Sequence, residues 1–180
     1  MLKIKQIGRP LERTEGAEIA EAALVLPLVF MLLLGIVWFG RAFNIYSTIQ
    51  QAAQQGAITA ARATCATCPA SNAFPTDATV TGVVGSVMNA SNLNPTQIPV
   101  NSSAPSPVSC VNPPTLVTCT NPGNITICRQ ALLNSPASTQ PPQCGIVVSF
   151  QYPFTFYFPG TSLNLQKITL SAQAQSRMEN

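Results

Sequence analysis

The longest apolar segment of the chain covers residues 22–40 and contains no charged or strongly polar side chain. A helix of this length spans about 28 Å, close to the ~30 Å hydrocarbon core of a bilayer. A helix inside a globular protein would normally keep a polar face, and this segment has none. The pattern predicts one membrane-spanning helix with a local kink at Pro27, whose ring and missing N–H disturb helical hydrogen bonding.

A different pattern follows Arg41, where small and apolar residues recur at spacings of three and four and glutamines take other positions. No proline intervenes until Pro69. We therefore predict one helix over residues 17–62, about 69 Å long, with a transmembrane part at 22–40 and an outer part at 41–62. The stripe of small residues would let either the chain's own sheet or another subunit approach closely. It comprises Ile49, Ala52, Ala53, Gly56, Ala57 and Ala60.

Residues 63–180 are predicted to form one α+β domain. Apolar spacing predicts a second helix over residues 77–89, with Thr76 or Asp77 as its N-cap. A strand is predicted at residues 96–102.

Further strands are predicted on either side of two turns. Runs rich in β-formers at residues 116–120 and 125–128 flank the Asn-Pro-Gly-Asn turn at 121–124. Alternating positions at 146–152 and 168–174 predict two half-buried strands joined through Pro-Gly at 159–160. A small antiparallel sheet packed on the long helix would complete an α+β fold stabilised by disulfides.

Charged residues make up 8% of the chain, and the formal net charge is +3. Four of the nine basic residues precede residue 17, namely Lys3, Lys5, Arg9 and Arg13. The remaining chain has no basic stripe, which gives nucleic-acid binding no support. Because only Arg41 follows the apolar segment closely, the positive-inside rule places the N-terminus in the cytoplasm and the C-terminal domain outside the membrane.

All six cysteines follow the apolar segment, and an even number on one side of a membrane indicates disulfides in an oxidising compartment. The sequence leaves their pairing open, although the turn at 121–124 favours a cross-strand bridge between Cys119 and Cys128. The candidates are Cys65, Cys68, Cys110, Cys119, Cys128 and Cys144.

Catalytic chemistry has little support in this composition. The chain has no histidine, and Asp77 is the only carboxylate between Glu21 and Glu179. No acid–base pair can therefore be assembled in the outer domain, and the cysteine spacings match no zinc pattern. We expect neither an enzyme nor a bound metal or cofactor.

The start of the apolar segment resembles the TadE-like pseudopilins, minor pilins of Flp/Tad-type (type IVb) pilus systems. The resemblance rests on Gly16-Ala17, Glu21, residues 23–27 (Ala-Leu-Val-Leu-Pro) and residues 35–41 (Gly-Ile-Val-Trp-Phe-Gly-Arg), and again on the closing segment 168–179. Ala22 departs from the family, whose subunits usually carry an aromatic residue there. The resemblance implies a pilin-like fold and a prepilin-peptidase junction between Gly16 and Ala17, so that residues 1–16 form a cytoplasmic leader.

Cleavage there would make Ala17 the first residue and Glu21 the fifth. The resemblance then implies that Glu21 neutralises the Ala17 ammonium group of an adjoining subunit during assembly. Implied partners are the prepilin peptidase, other pilin and TadE-like subunits, the inner-membrane assembly platform with its ATPase, and membrane lipid.

The sequence also admits a different class of protein. An uncleaved single-pass signal anchor could display the outer domain as a disulfide-bonded binding or adhesion module. Both alternatives place the chain in the cell membrane with a periplasmic or extracellular domain, and only the first also leads into a pilus. The N-terminal residue of the mature chain, Ala17 or one at the original start, distinguishes them.

Overall fold

A computed structural model describes residues 14–62, 74–100, 105–110, 116–134, 140–155 and 167–178. The chain divides into two units, Met1–Arg41 and Ala42–Asn180. The helices are α1 (Thr14–Ala61) and α2 (Asp77–Ala90), with 3₁₀ turns at Pro95–Gln97 and Pro122–Asn124. The strands are β1 (Cys119–Thr120), β2 (Thr126–Leu132), β3 (Cys144–Phe154) and β4 (Ile168–Arg177). This architecture confirms the predicted α+β class, with a long N-terminal helix and a small antiparallel sheet.

The long helix α1 contains 48 residues and continues through Pro27. The local kink expected at this proline stays a prediction. The helix has no basic residue in its last turn, and it ends at Ala61, shortly before the described part of the segment stops at Arg62.

The outer part of α1 packs against its own domain through the predicted stripe of small residues. Ile49, Ala52, Ala53, Ala57 and Ala60 are completely buried in one core with α2 and the sheet. Helices α1 and α2 approach each other closely at Gly56, because a Cβ atom there would lie 2.7 Å from Cγ2 of Val84. Of the two uses foreseen for the stripe, the structure therefore shows packing on the chain's own sheet and second helix.

Helix α2 begins where the sequence pattern predicts. The backbone N–H of Thr79 donates to Oγ1 of Thr76, which is the N-cap residue. Val80, Val84 and Met88 are buried, and their spacing of four places them on the face that meets the core.

The four strands lie in the order β1-β2-β3-β4, and all neighbouring pairs are antiparallel. Residues of β3 alternate between the two sheet faces. Ile146, Val148 and Phe150 join the core with the helices, whereas Val147 joins a second, smaller cluster with Cys128. The predicted pairing of residues 146–152 with 168–174 is present, for example Val148 opposite Ala174.

A β-bulge interrupts β2. Cys128 pairs with Val147 and Ala131 with Gly145, so Arg129 and Gln130 together oppose a single residue of β3. Gln130 has a φ of +57°, a left-handed conformation that accommodates the extra residue.

Residues 105–110, here called the strap, run alongside the second half of β2. The N–H of Leu132 donates to the carbonyl of Val108 at 2.8 Å, and the N–H of Cys110 donates to the carbonyl of Gln130 at 3.0 Å. In β3, residues 145–150 are all buried, so both faces of the strand are covered here, although sequence alternation predicts a half-buried strand.

The strand predicted at residues 96–102 is wrong over its described part. Pro95–Gln97 forms a 3₁₀ turn capped by Asn94, whose side-chain oxygen accepts from the N–H of Thr96 at 3.0 Å. Because the side chain of Asn94 takes up the hydrogen bond of this backbone N–H, a turn is favoured over a strand at this point. Residues 101 and 102 lie outside the described residues.

Candidate functional site

The first turns of α1 carry the predicted processing and assembly residues. Gly16 is exposed, and a Cβ atom built on it would have no neighbour within 4 Å. Glu18 and Glu21 are also exposed, one turn apart on the same helix. Neither glutamate belongs to an ion pair recorded among the described residues. The backbone of Ala17 lies in the helix, while its side chain is outside the description.

Beyond Glu21 the helix surface is apolar and exposed. Leu24 is 80% exposed, Met31 77% and Val37 66%, so the segment buries almost none of its large side chains within the chain. Among the described residues, α1 is the one helix long and apolar enough to cross a membrane. Exposed apolar surface of this extent requires a nonpolar environment, and the helix fits a single-pass membrane anchor.

Aromatic and basic side chains meet at the outer end of this segment. The guanidinium carbon of Arg41 lies 5.7 Å from the centroid of the Trp38 ring, within cation–π range. Phe39 and Phe43 nearby are both more than 70% exposed. Tryptophan with a basic neighbour is typical of the level of lipid headgroups.

The outer domain contains one described ion pair, between Asp77 at the start of α2 and Arg129 at the β2 bulge. Nη2 of Arg129 lies 2.7 Å from Oδ1 of Asp77, and the same nitrogen donates to the carbonyl of Pro75. The hydroxyl of Thr120 donates to Oδ2 of Asp77 at 2.7 Å. The network therefore ties α2 to both β1 and β2.

The electrostatics of Asp77 follow from these contacts. Burial alone would raise the pKa of its carboxyl group. The hydrogen bonds from Arg129 and Thr120, together with the charge of Arg129, outweigh burial and lower that pKa below its ordinary value. The carboxylate of Asp77 is therefore held in its ionised form, where it links α2 to the sheet and is a poor proton acceptor.

Two open clefts of about 390 and 460 Å³ lie in the outer domain, and none of their described lining residues is a carboxylate or histidine. The described residues also contain no group of three or more potential metal ligands.

Four cysteines lie within the described residues, and all four are in disulfides. Cys119 bonds to Cys128 across β1 and β2, which is the bridge that the turn pattern favours. Cys110 bonds to Cys144, tying the strap to the start of β3. Cys65 and Cys68 lie outside the described residues.

Sequence reasoning missed Arg129 and the Cys110–Cys144 bridge. Arg129 follows the buried Ile127 by two positions in β2, and its contact with Asp77 joins residues 52 positions apart, which no local pattern indicates. The partner of Cys110 depends on the strap crossing beside β2, a contact between segments distant in sequence.

These observations fit one class of protein: a chain with a single-pass membrane anchor and a disulfide-bonded α+β domain. The sequence model of the TadE-like protein family matches residues 16–57, all of them within α1. This match confirms the resemblance predicted from the sequence. No curated protein and no solved structure matches the chain.

Proposed function

We propose that the chain is a pseudopilin, or minor pilin, of a Flp/Tad-type pilus assembly or secretion machine. A prepilin peptidase removes residues 1–16, and the mature chain then joins other pilin and TadE-like subunits at the inner-membrane platform and its ATPase. Its role is structural. The observation that carries the proposal is the family match over residues 16–57, which places the similarity on the membrane helix.

Cleavage after Gly16 creates a charge that needs a partner. The new ammonium group of Ala17 would stand at the start of an apolar helix, four residues before Glu21. A single charge at mid-bilayer costs up to about 2.5–3.5 kcal/mol on insertion scales, and less near the interface. In an ion pair with Glu21 of an adjoining subunit, the ammonium group and the carboxylate neutralise each other, so neither charge is left isolated. This pairing sets the axial register of assembly.

Two features of the chain support this arrangement. The family match begins at Gly16, so residues 1–15 fall outside it. Glu21 is exposed on the helix and belongs to no described ion pair, which leaves its carboxylate available to another subunit. The exposed apolar surface after Glu21 suits packing first in lipid and then among neighbouring helices.

Processing is tested by substituting Gly16→Ala in the full chain, expressed with its prepilin peptidase. The added methyl group meets no atom within 4 Å, so the helix itself tolerates it. We expect intact mass spectrometry to show an unprocessed chain, whereas the wild type loses its first sixteen residues. Gly40→Ala is the matched control, because its Cβ also meets no neighbour within 4 Å, and it should be processed normally.

Assembly is tested by comparing Glu21→Gln with Glu18→Gln. Both glutamates are exposed in the same turns, but only Glu21 becomes the fifth residue after cleavage. We expect Glu21→Gln to insert and be processed normally yet fail to enter the sheared pilus or envelope fraction. Glu18→Gln should be incorporated.

Two results would contradict the proposal. Native protein that still begins at its original N-terminus would favour an anchored binding or adhesion module. If Glu21→Gln is incorporated normally, the proposed charge pairing is wrong, and the pilin assignment then rests on the family match alone.

A further inference from the structure

The cleft of about 390 Å³ in the outer domain lies on β3 and β4. This volume is within the range of about 300–1,000 Å³ that is typical of small-molecule sites. Its lining includes five neutral polar residues and one proline, namely Ser149, Gln151, Thr169, Ser171, Gln173 and Pro105.

The polar side chains of the cleft share one face of the sheet. Ser149 pairs with Gln173 across the two strands, and Gln151 pairs with Ser171. Phe150, which lies between Ser149 and Gln151, is buried in the core with the helices. Because side chains alternate along a strand, the four polar side chains project from the face away from that core. They form one patch of hydroxyl and amide groups.

The hydroxyl group of Ser149 stands out in this patch. Ser149 is 3% exposed, and its buried Oγ has no hydrogen-bond partner within the described part of the chain. A buried polar group without a partner is unfavourable, and native proteins contain few of them. Ser171 and Gln173 are exposed, so Ser149 lies at the base of the cleft and these two residues lie at its rim.

The chemistry of the lining selects a class of ligand. None of the described residues that line the cleft is charged, so an ionic ligand would find no opposite charge there. Hydroxyl and primary amide groups can each donate and accept hydrogen bonds, which matches a ligand that carries neutral hydroxyl groups. Pro105 is the one lining residue from outside β3 and β4, and it adds a nonpolar neighbour for the C–H groups of a sugar ring.

We propose that this cleft binds a neutral saccharide. The sugar hydroxyl groups pair with the amides of Gln151 and Gln173, and one of them supplies the missing partner of Ser149. Free sugars and the sugar units of a surface glycan share this chemistry. The site stands on the outer domain alone, so it does not depend on the proposed pilin role.

The test uses the full chain in micelles of a zwitterionic detergent, because many common detergents carry sugar headgroups. Saturation-transfer NMR measures binding of the free neutral disaccharides maltose, cellobiose and N,N′-diacetylchitobiose. An array of immobilised neutral oligosaccharides represents surface glycans, and a disaccharide that contains glucuronic acid is the charged comparison.

We expect at least one neutral sugar to bind. Binding of a free disaccharide would show that a free sugar is a sufficient ligand, whereas binding to the array alone would assign the site to a surface glycan. If no neutral sugar binds in either form, or if the acidic disaccharide binds in preference to the neutral ones, the proposal is overturned.

Two glutamines of β4 provide a matched pair of variants. Gln173 and Gln175 are both exposed and lie on the same side of the strand, but Gln175 is not a lining residue of the cleft. Gln173→Ala should weaken binding about three- to tenfold, the usual effect of losing a neutral hydrogen bond. Gln175→Ala should leave the affinity unchanged. Equal losses in the two variants would place binding elsewhere on the strand and contradict the proposal.

Ser149→Ala separates binding from stability. Since Oγ of Ser149 has no described partner, its removal should leave the urea unfolding midpoint unchanged or raise it. The same variant should bind the sugar about three- to tenfold more weakly. Unchanged affinity would overturn the proposal, because this hydroxyl group is the feature that distinguishes the cleft from an ordinary polar surface.

Discussion

The two parts of α1 use apolar residues in opposite ways. Before Arg41 the large side chains are exposed, including Phe30 at 57%, and they have no core within the chain. After Ala42 the helix has smaller side chains, and its alanines are completely buried against α2 and the sheet. One continuous helix therefore meets two environments, and side-chain size along its sequence marks the change.

This contrast shows what each part of the helix contributes to stability. Burying a side chain in the outer domain contributes to its free energy of unfolding, whereas an apolar side chain before Arg41 gains stability only from lipid or a neighbouring subunit. Equal substitutions in the two parts should therefore have unequal effects on the free energy of unfolding, which unfolding experiments can test.

The largest effect is expected from removing a large aromatic side chain. Phe150→Ala leaves a cavity in the core of the outer domain and should lower its free energy of unfolding by about 3–5 kcal/mol. Phe30→Ala should leave that free energy unchanged, because Phe30 is exposed before Arg41. Urea unfolding in micelles, followed by circular dichroism, measures both. A similar loss in both variants would show that the two parts are not energetically distinct.

An intermediate effect is expected from adding one methyl group to the helix. Gly56→Ala brings a Cβ to 2.7 Å from Val84 and should cost about 1–3 kcal/mol through overpacking. Gly40→Ala meets no neighbour within 4 Å and should leave unfolding unchanged. The same unfolding measurement compares them, and a neutral Gly56→Ala would mean that the close approach to α2 relaxes freely.

The smallest effect concerns the ion pair at the start of α2. Asp77→Asn should cost about 1–2 kcal/mol near neutral pH, since it removes a half-exposed, hydrogen-bonded charge pair. Because folding lowers the pKa of Asp77, the ionised carboxylate stabilises the fold at every pH above its ordinary pKa of 3.8. This contribution is lost as the pH falls through the lower folded pKa.

The pH dependence supplies the check on this third experiment. Asp77 is the only carboxylate between Glu21 and Glu179, so few other groups affect acid unfolding of the outer domain. Unfolding midpoints of wild type and Asp77→Asn should differ at pH 6 and converge as the pH falls below the folded pKa. A constant difference across this range would contradict the proposed role of the charge.

Periodicity was sufficient to predict several of the helices and strands, although not the full burial of β3. The membrane segment, α2 with its Thr76 cap, and the β3–β4 pair all follow from local pattern, because each residue's environment depends on its place in a regular element. Gly16, Ala17 and Glu21 came from the family resemblance, and their roles stay predictions.

Features set by distant contacts were not predictable in this way. The strand predicted at residues 96–102 is replaced at its start by a 3₁₀ turn, because the side chain of Asn94 accepts a hydrogen bond from the N–H of Thr96. Val147, on the second face of β3, lies in a cluster packed by Val117 and Leu133 from other segments, and alternation along β3 carries no record of them. The pairing of Cys110 with Cys144 depends on the strap lying beside β2.

The bulge at Arg129 and Gln130 makes β2 sensitive to length as well as composition. Upstream of it, Cys128 contributes to the small cluster opposite the helices, and downstream of it Ala131 contributes to the same cluster. In an unbroken strand, positions separated by three would face opposite sides. A regular strand of the same length would therefore turn Ala131 and Leu132 to the opposite faces, whereas deleting Gln130 would remove the extra residue and keep Ala131 on the face of Cys128.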